Sequence, residues 1–278
     1  MGCVENGSFS VMFTLFQALS VTGKGGGICC ECGNAIVSLN GNAFFVCTAT
    51  LYGGAIYISN AFNSSINRCC GERCYAVSHG QFLDVMVQNP NINSGPSVIT
   101  QSSAIFCPRN YEGTHQTFRI EYGKPTISDV NSSLNYKKGH SSILCVYFSE
   151  LKISFTSLCS SKTGIVLELW EGQTSVIESV VLRNNSYAYE NMAVFLFNSG
   201  SHSLSNVICI NNVFSNNYDI RNSPIVNFDQ IFYNPITSYP DINDLYNSKG
   251  CVVIRDNTQM IIPKQGFLLL FIVQYING

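Results

Sequence analysis

The sequence predicts an all-β fold, a right-handed parallel β-helix whose coils are about 27 residues long. Three observations predict it. Windows beginning at Met12, Leu39 and Ile66 align at offsets of 27, bringing Gly26-Gly27 onto Gly53-Gly54 and Cys47 onto Cys74. The same offset returns late, where Ile177 to Asn185 matches Leu204 to Asn212. Finally, only 12% of residues are charged, while Asn occurs 29 times and Gly 22 times.

Each observation has a physical reading. A strand of four or five residues spans roughly 15 Å, too little to bury its own apolar face. Stacked repeats bury a continuous core, and each strand pairs with its counterparts in the neighbouring coils. The short apolar runs fit such strands: Ala55-Ile56-Tyr57-Ile58, Ile165 to Leu169 and Ala193 to Phe197. Gly is expected at the corners for positive φ or close coil approach, and Asn there because it tolerates the left-handed region. Stacked like charges would repel, whereas Asn amides can bond along a ladder. A right-handed path follows from the chirality of parallel crossovers. The competing fold is a β-sandwich with Gly and Asn turns.

Along the chain, residues 1–217 are expected to form the solenoid, with loops projecting from about 89–139, where the period blurs among Pro90, Pro96, Pro108 and Pro125. Residues 218–278 are expected to form an irregular cap, since an open coil exposes unpaired strand edges. That stretch ends in the apolar run Phe267 to Ile276, shorter than the roughly 20 residues of a spanning helix. It reads as a membrane segment missing part of its length or as a final strand. No clear signal peptide is expected, because Val11 to Leu19 lacks a basic flank, and both ends read as those of a partial gene product.

The 13 cysteines are an odd number. They read either as buried thiols packing like small hydrophobes or as an oxidised set with one left over, and their recurrence at repeat positions favours packing. Cys29-Cys30-Glu31-Cys32 and Cys69-Cys70-Gly71-Glu72-Arg73-Cys74 lack the paired spacing of a zinc site. Adjacent cysteines on a strand also point to opposite faces.

Gly53-Gly54-Ala55-Ile56 is a GGAI tetrapeptide and Phe214-Ser215-Asn216-Asn217 an FxxN tetrapeptide. With the repeated apolar residue, cysteine and glycine element, residues 10–220 resemble the polymorphic outer membrane protein repeat family and the β-helix surface proteins of parasitic protists. The resemblance implies a cell-surface or secreted, adhesin-like and non-catalytic role, with a host or matrix protein or glycan as partner.

No catalytic residue, cofactor or metal ligand is assigned. Fifteen basic against 17 acidic residues, without a basic run, give nucleic acid no electrostatic footing. A polysaccharide-active enzyme is the rival function, and it needs two suitably spaced carboxyls. Its weak candidates are His79-Gly80, Asp241 with Asn243-Asp244, and Glu168, Glu171 and Glu178, each explained as well by a corner, a loop or a solvated edge. A fragment without independent function is a further alternative. Asn6, Asn63, Asn131 and Asn184 head Asn-x-Ser sequons and would accept glycans on a secretory route.

Overall fold

A computed structural model describes residues 5–31, 33–88, 95–107, 115–136, 141–187, 193–214 and 216–233. They form a parallel β-solenoid, and every strand pairing is parallel, which excludes the antiparallel sandwich. Each coil contributes one strand to each of three faces. The first face runs from Ser8–Met12 through Ile36–Asn40, Asn63–Asn67, Pro96–Thr100, Lys124–Ser128, Glu150–Ser154 and Thr174–Glu178 to Ser201–Ile210 and Ile225–Tyr233. The second runs beside it from Leu15–Gln17 through Ala43–Phe45 and Cys70–Glu72 to Val181–Arg183, and merges with the first in the long strand Ser201–Ile210. The third comprises eight strands, from Ile28–Glu31 to Asn216–Arg221, so seven turns separate its ends.

The period expected near 27 is a mean around which real coils vary. Leu39 stacks on Ile66, 27 positions on, but Ile66 stacks on Ile99, 33 on, and Ile153 on Ile177, only 24 on. Extra residues enter at corners and leave the rungs in register, as loop tips tolerate insertion. Within 89–139, the strands Pro96–Thr100, Ser103–Ile105, Phe118–Glu121, Lys124–Ser128 and Asn131–Ser133 continue the three faces. The rest of the expected loops falls largely outside the described residues. The ladder also passes 217: Asn216–Arg221 and Ile225–Tyr233 add a further rung. The later part of the expected cap, with Phe267 to Ile276, lies outside the described residues.

The corners differ from expectation in composition. Between the first and second faces each coil turns on one left-handed residue, and these are Phe13, Gly41, Arg68, Gln101, Asp129, Phe155, Ser179, Asn206 and Gln230. Only one is Gly and one Asn. A non-Gly residue there costs roughly 1–2 kcal/mol. The cost is offset because the turn keeps the residue in the ladder: Phe13 N–H donates to Asn40 O, Arg68 N–H to Thr100 O, and Gln101 N–H to Ser128 O. The paired glycines meet a different need, close approach. A Cβ on Gly26 would lie 2.1 Å from Gly54 O, and one on Gly54 would lie 2.1 Å from Gln81 O.

Inside the solenoid an aromatic column fills the early coils. Phe16 stacks on Phe44 at 4.8 Å between centroids, and Phe44, Phe82 and Phe118 follow edge to face. Gly71 stands where the column needs room, for a Cβ there would be 2.2 Å from the Phe82 ring. At the register position of Phe44 the following coils carry Gly71, Ala104, Ser132, Leu158 and Leu182, while Phe148, Phe195 and Phe197 fill the later core.

Candidate functional site

Three constellations stand out: a polar row inside the solenoid, an ionic cluster on the third face, and the outer surface of the first face.

The interior row lies just past the second face, one residue per coil. Its members are Cys47, Cys74, Cys107, Asn135, Ser161, Asn185 and Asn212, and the Cys47–Cys74 equivalence expected from the repeat is its beginning. Each asparagine clamps the coil before it at two points. Asn135 Oδ1 accepts from Cys107 N–H (2.7 Å), and its Nδ2 donates to Ala104 O (3.3 Å). Asn185 does the same to Ser161 N–H (3.0 Å) and Leu158 O (2.7 Å). Asn212 takes Asn185 N–H (3.0 Å) and Leu182 O (2.8 Å). These bonds satisfy corner backbone groups that would be costly if buried unpaired.

The thiol half is looser, with Cys74 N–H donating to Cys107 Sγ at 3.3 Å. Among the described residues nine cysteines are free thiols, eight of them buried. Most therefore pack as expected, while Cys70 is disulfide-bonded. Cys30 points inward and Cys29 outward, as do Cys69 and Cys70 respectively, following strand alternation.

The inner strands of the third face are buried on both sides, which their near-continuous apolar runs reflect. On its outer side sits a charge cluster that the sequence hid. Register places Asp84 against Arg119 although 35 residues separate them. The Arg119 guanidinium reaches Asp84 at 3.4 Å and also bonds Glu121. Asp84 is fully buried, and burial outweighs the guanidinium, lifting its carboxyl to about 6. Burial also raises Glu121 against the pull of Arg119. Alongside, Tyr52 stacks on His79 and His79 meets His115 edge to face, with the Lys24 ammonium over Tyr52 and Tyr57.

The first face has the opposite character: inward residues are buried and outward ones wet. Ser10, Ser38 and Ser65 stand in one outward column, and Met12, Asn40, Asn67, Thr100 and Ser128 in the next. Asn67 Nδ2 donates to Asn40 Oδ1, and Thr100 Oγ1 donates to Asn67 Oδ1, both at 3.1 Å. From Ser8–Met12 to Pro96–Thr100 no strand of this face carries a charge. Beyond them Lys124 pairs with Glu150 and Lys152 with Glu178.

The residues singled out by sequence do not converge. His79 is a corner residue, bridged to Tyr52. Glu168 lies on the third face beside Trp170, Glu171 is a left-handed corner, and Glu178 is on the first face. Asp241, Asn243 and Asp244 lie outside the described residues. Among the described residues no group of three His, Cys, Asp or Glu is placed to hold a metal ion. None of them belongs to a helix long and apolar enough to cross a membrane. Asn6 and Asn184 are exposed left-handed corners, whereas Asn63 and Asn131 are half-buried within strands. No family model, curated protein or solved structure matches this chain.

Proposed function

We propose that this chain is a non-catalytic, adhesin-like interaction protein, secreted or held at a cell surface, which presents its first face to a glycan or protein of a host or matrix. The observation that carries the reading is that face: lateral, open to solvent on its outer side, and lined over four coils by in-register hydroxyls, amides and a few apolar groups without charge. Such columns offer hydrogen-bond donors and acceptors at the strand spacing of about 4.8 Å. They carry no field that would steer an ionic ligand.

The finer kinship, to the polymorphic outer membrane protein repeats, is supported by the roles of the two tetrapeptides. Gly53 adopts positive φ and Gly54 abuts the next coil, while Phe214 packs against the core. Secretion would expose the sequons at Asn6 and Asn184, and attachment to a membrane would fall to Phe267 to Ile276. Nucleic acid is not an expected partner, given 15 basic and 17 acidic residues.

Binding of the purified chain to a panel of glycans and matrix proteins tests the proposal. Saturable binding that Ser38→Arg or Ser65→Arg weakens at least tenfold is the expected result. No binding, or binding indifferent to both changes, would sink it.

One observation favours a second reading, polysaccharide cleavage: Asp84 and Glu121 are two carboxyls of raised pKa flanking one guanidinium. Against it stands the complete burial of Asp84. Release of reducing ends from a polysaccharide panel, abolished by Asp84→Asn, would select this reading.

A further inference from the structure

Other interior thiols stand in register with residues of other kinds. Cys145 lies between Ile120 and Leu169, and Cys209 stacks on Leu182. Cys69 is flanked by Asn42 and Ser102. The exception is the row of Cys47, Cys74 and Cys107, where three thiols occupy one register position in consecutive coils. Cys74 stands between the other two, and its N–H donates to Cys107 Sγ at 3.3 Å.

We propose that Cys47 and Cys74 are a site of reversible oxidation by peroxide, forming one disulfide between adjacent coils and leaving Cys107 as a thiol. The backbone already meets the main requirement. Neighbouring parallel strands lie about 4.8 Å apart, inside the roughly 4.4–6.8 Å Cα range that a disulfide spans, so a small local closure of the two coils that brings the Cβ atoms within about 4.5 Å joins the sulfurs. Cys74 is shared by both contacts and can close only one.

Two features select Cys47 as its partner. The Cys74 side chain beside it draws the Cys47 thiol down from its ordinary pKa, favouring the thiolate that reacts with peroxide. Cys47 also stands nearer the open end of the row, where its first-coil counterpart, Leu19, is exposed.

The chemistry balances in two steps. Peroxide transfers an oxygen to the Cys47 sulfur, giving a sulfenic acid and one water. The Cys74 sulfur then attacks the Cys47 sulfur, the S–S bond forms, and the hydroxyl leaves as a second water with the Cys74 proton. Two thiols and one hydrogen peroxide thus become one disulfide and two waters. A thiol reductant reverses the result.

The experiment treats the folded full-length chain with hydrogen peroxide, alkylates remaining thiols after unfolding, and maps peptides by mass spectrometry. Expected is a Cys47–Cys74 cross-link with Cys107 alkylated, lost on reduction. Cys47→Ser should abolish the cross-link. Cys107→Asn, which introduces the side chain that fills this row in later coils, should retain it. Circular dichroism of each variant separates chemistry from misfolding. A Cys74–Cys107 link, or Cys47 and Cys74 both alkylated after peroxide, would overturn the proposal.

Discussion

The two halves of the interior row solve the same problem with different chemistry. From Asn135 onward, amides and a serine hydroxyl key each coil to the one before it by directed bonds. From Cys47 to Cys107, thiols occupy the same positions and make longer, weaker contacts. The aromatic column compensates, since Phe16, Phe44, Phe82 and Phe118 lie in the thiol half. At this row the thiol half leans on packing, whereas the amide half adds hydrogen-bond geometry to a core that also holds Phe148, Phe195 and Phe197. The fold therefore constrains the register position and leaves its chemistry open.

The largest test of that contrast is Asn185→Ala. It strips Ser161 N–H and Leu158 O of their partners inside the core. At about 1–3 kcal/mol for each buried group left unpaired, the cost should be about 2–6 kcal/mol in chemical denaturation. Cys74→Ala probes the other half and should cost only about 1–2 kcal/mol, the loss of a small buried group. Equal costs would erase the distinction between the halves.

A pH change should move the halves in opposite directions. In the amide half, His202 is buried and neutral: Ser199 O can only accept, so Nε2 carries the hydrogen, and Nδ1 accepts from the Ser175 hydroxyl. Burial lowers its pKa, so its contribution is present above the unfolded value and lost as pH falls below about 6.5. In the thiol half, Asp84 is raised to about 6, so its contribution is full below the unfolded value and lost as pH rises through 6. Amide hydrogen exchange at pH 7 and pH 5, corrected for intrinsic rates, should show the later coils loosening at pH 5 and the coils around Asp84 tightening. Both halves moving together would contradict the assignment.

The smallest effect belongs to Cys107→Asn, which moves the boundary between the halves by one coil. The amide would find Cys74 N–H as donor, as Asn135 finds Cys107 N–H. Its stability should stay within about 1 kcal/mol of the parent, read from the denaturation midpoint. A larger loss would mean that the aromatic column leaves no room for an amide there.

Much of this was legible in particular residues. Asn184-Asn185 and Asn211-Asn212 align in the sequence at offset 27, and in both pairs the first residue turns the corner while the second enters the row. Cys47 and Cys74 were likewise visible as equivalents. Their continuation through Cys107 to Asn135 was not, because 33 and 28 residues separate those neighbours and the side chain changes midway. Corners were expected to be Gly or Asn and include Phe13, Arg68 and Phe155, since a ladder hydrogen bond sustains positive φ where side-chain identity does not forbid it. The Asp84–Arg119–Glu121 cluster left no trace in the pattern, being created by a 35-residue step between rungs.

The sequence by itself determined the class of fold, because apolar runs too short to bury themselves, returning at a near-constant interval between small polar corners, can satisfy their backbones only by stacking. Tertiary structure alone decided which residues of distant coils stand against each other. Register depends on the residues spent at every corner, and a single insertion shifts all later partners without disturbing the local pattern that announces a strand.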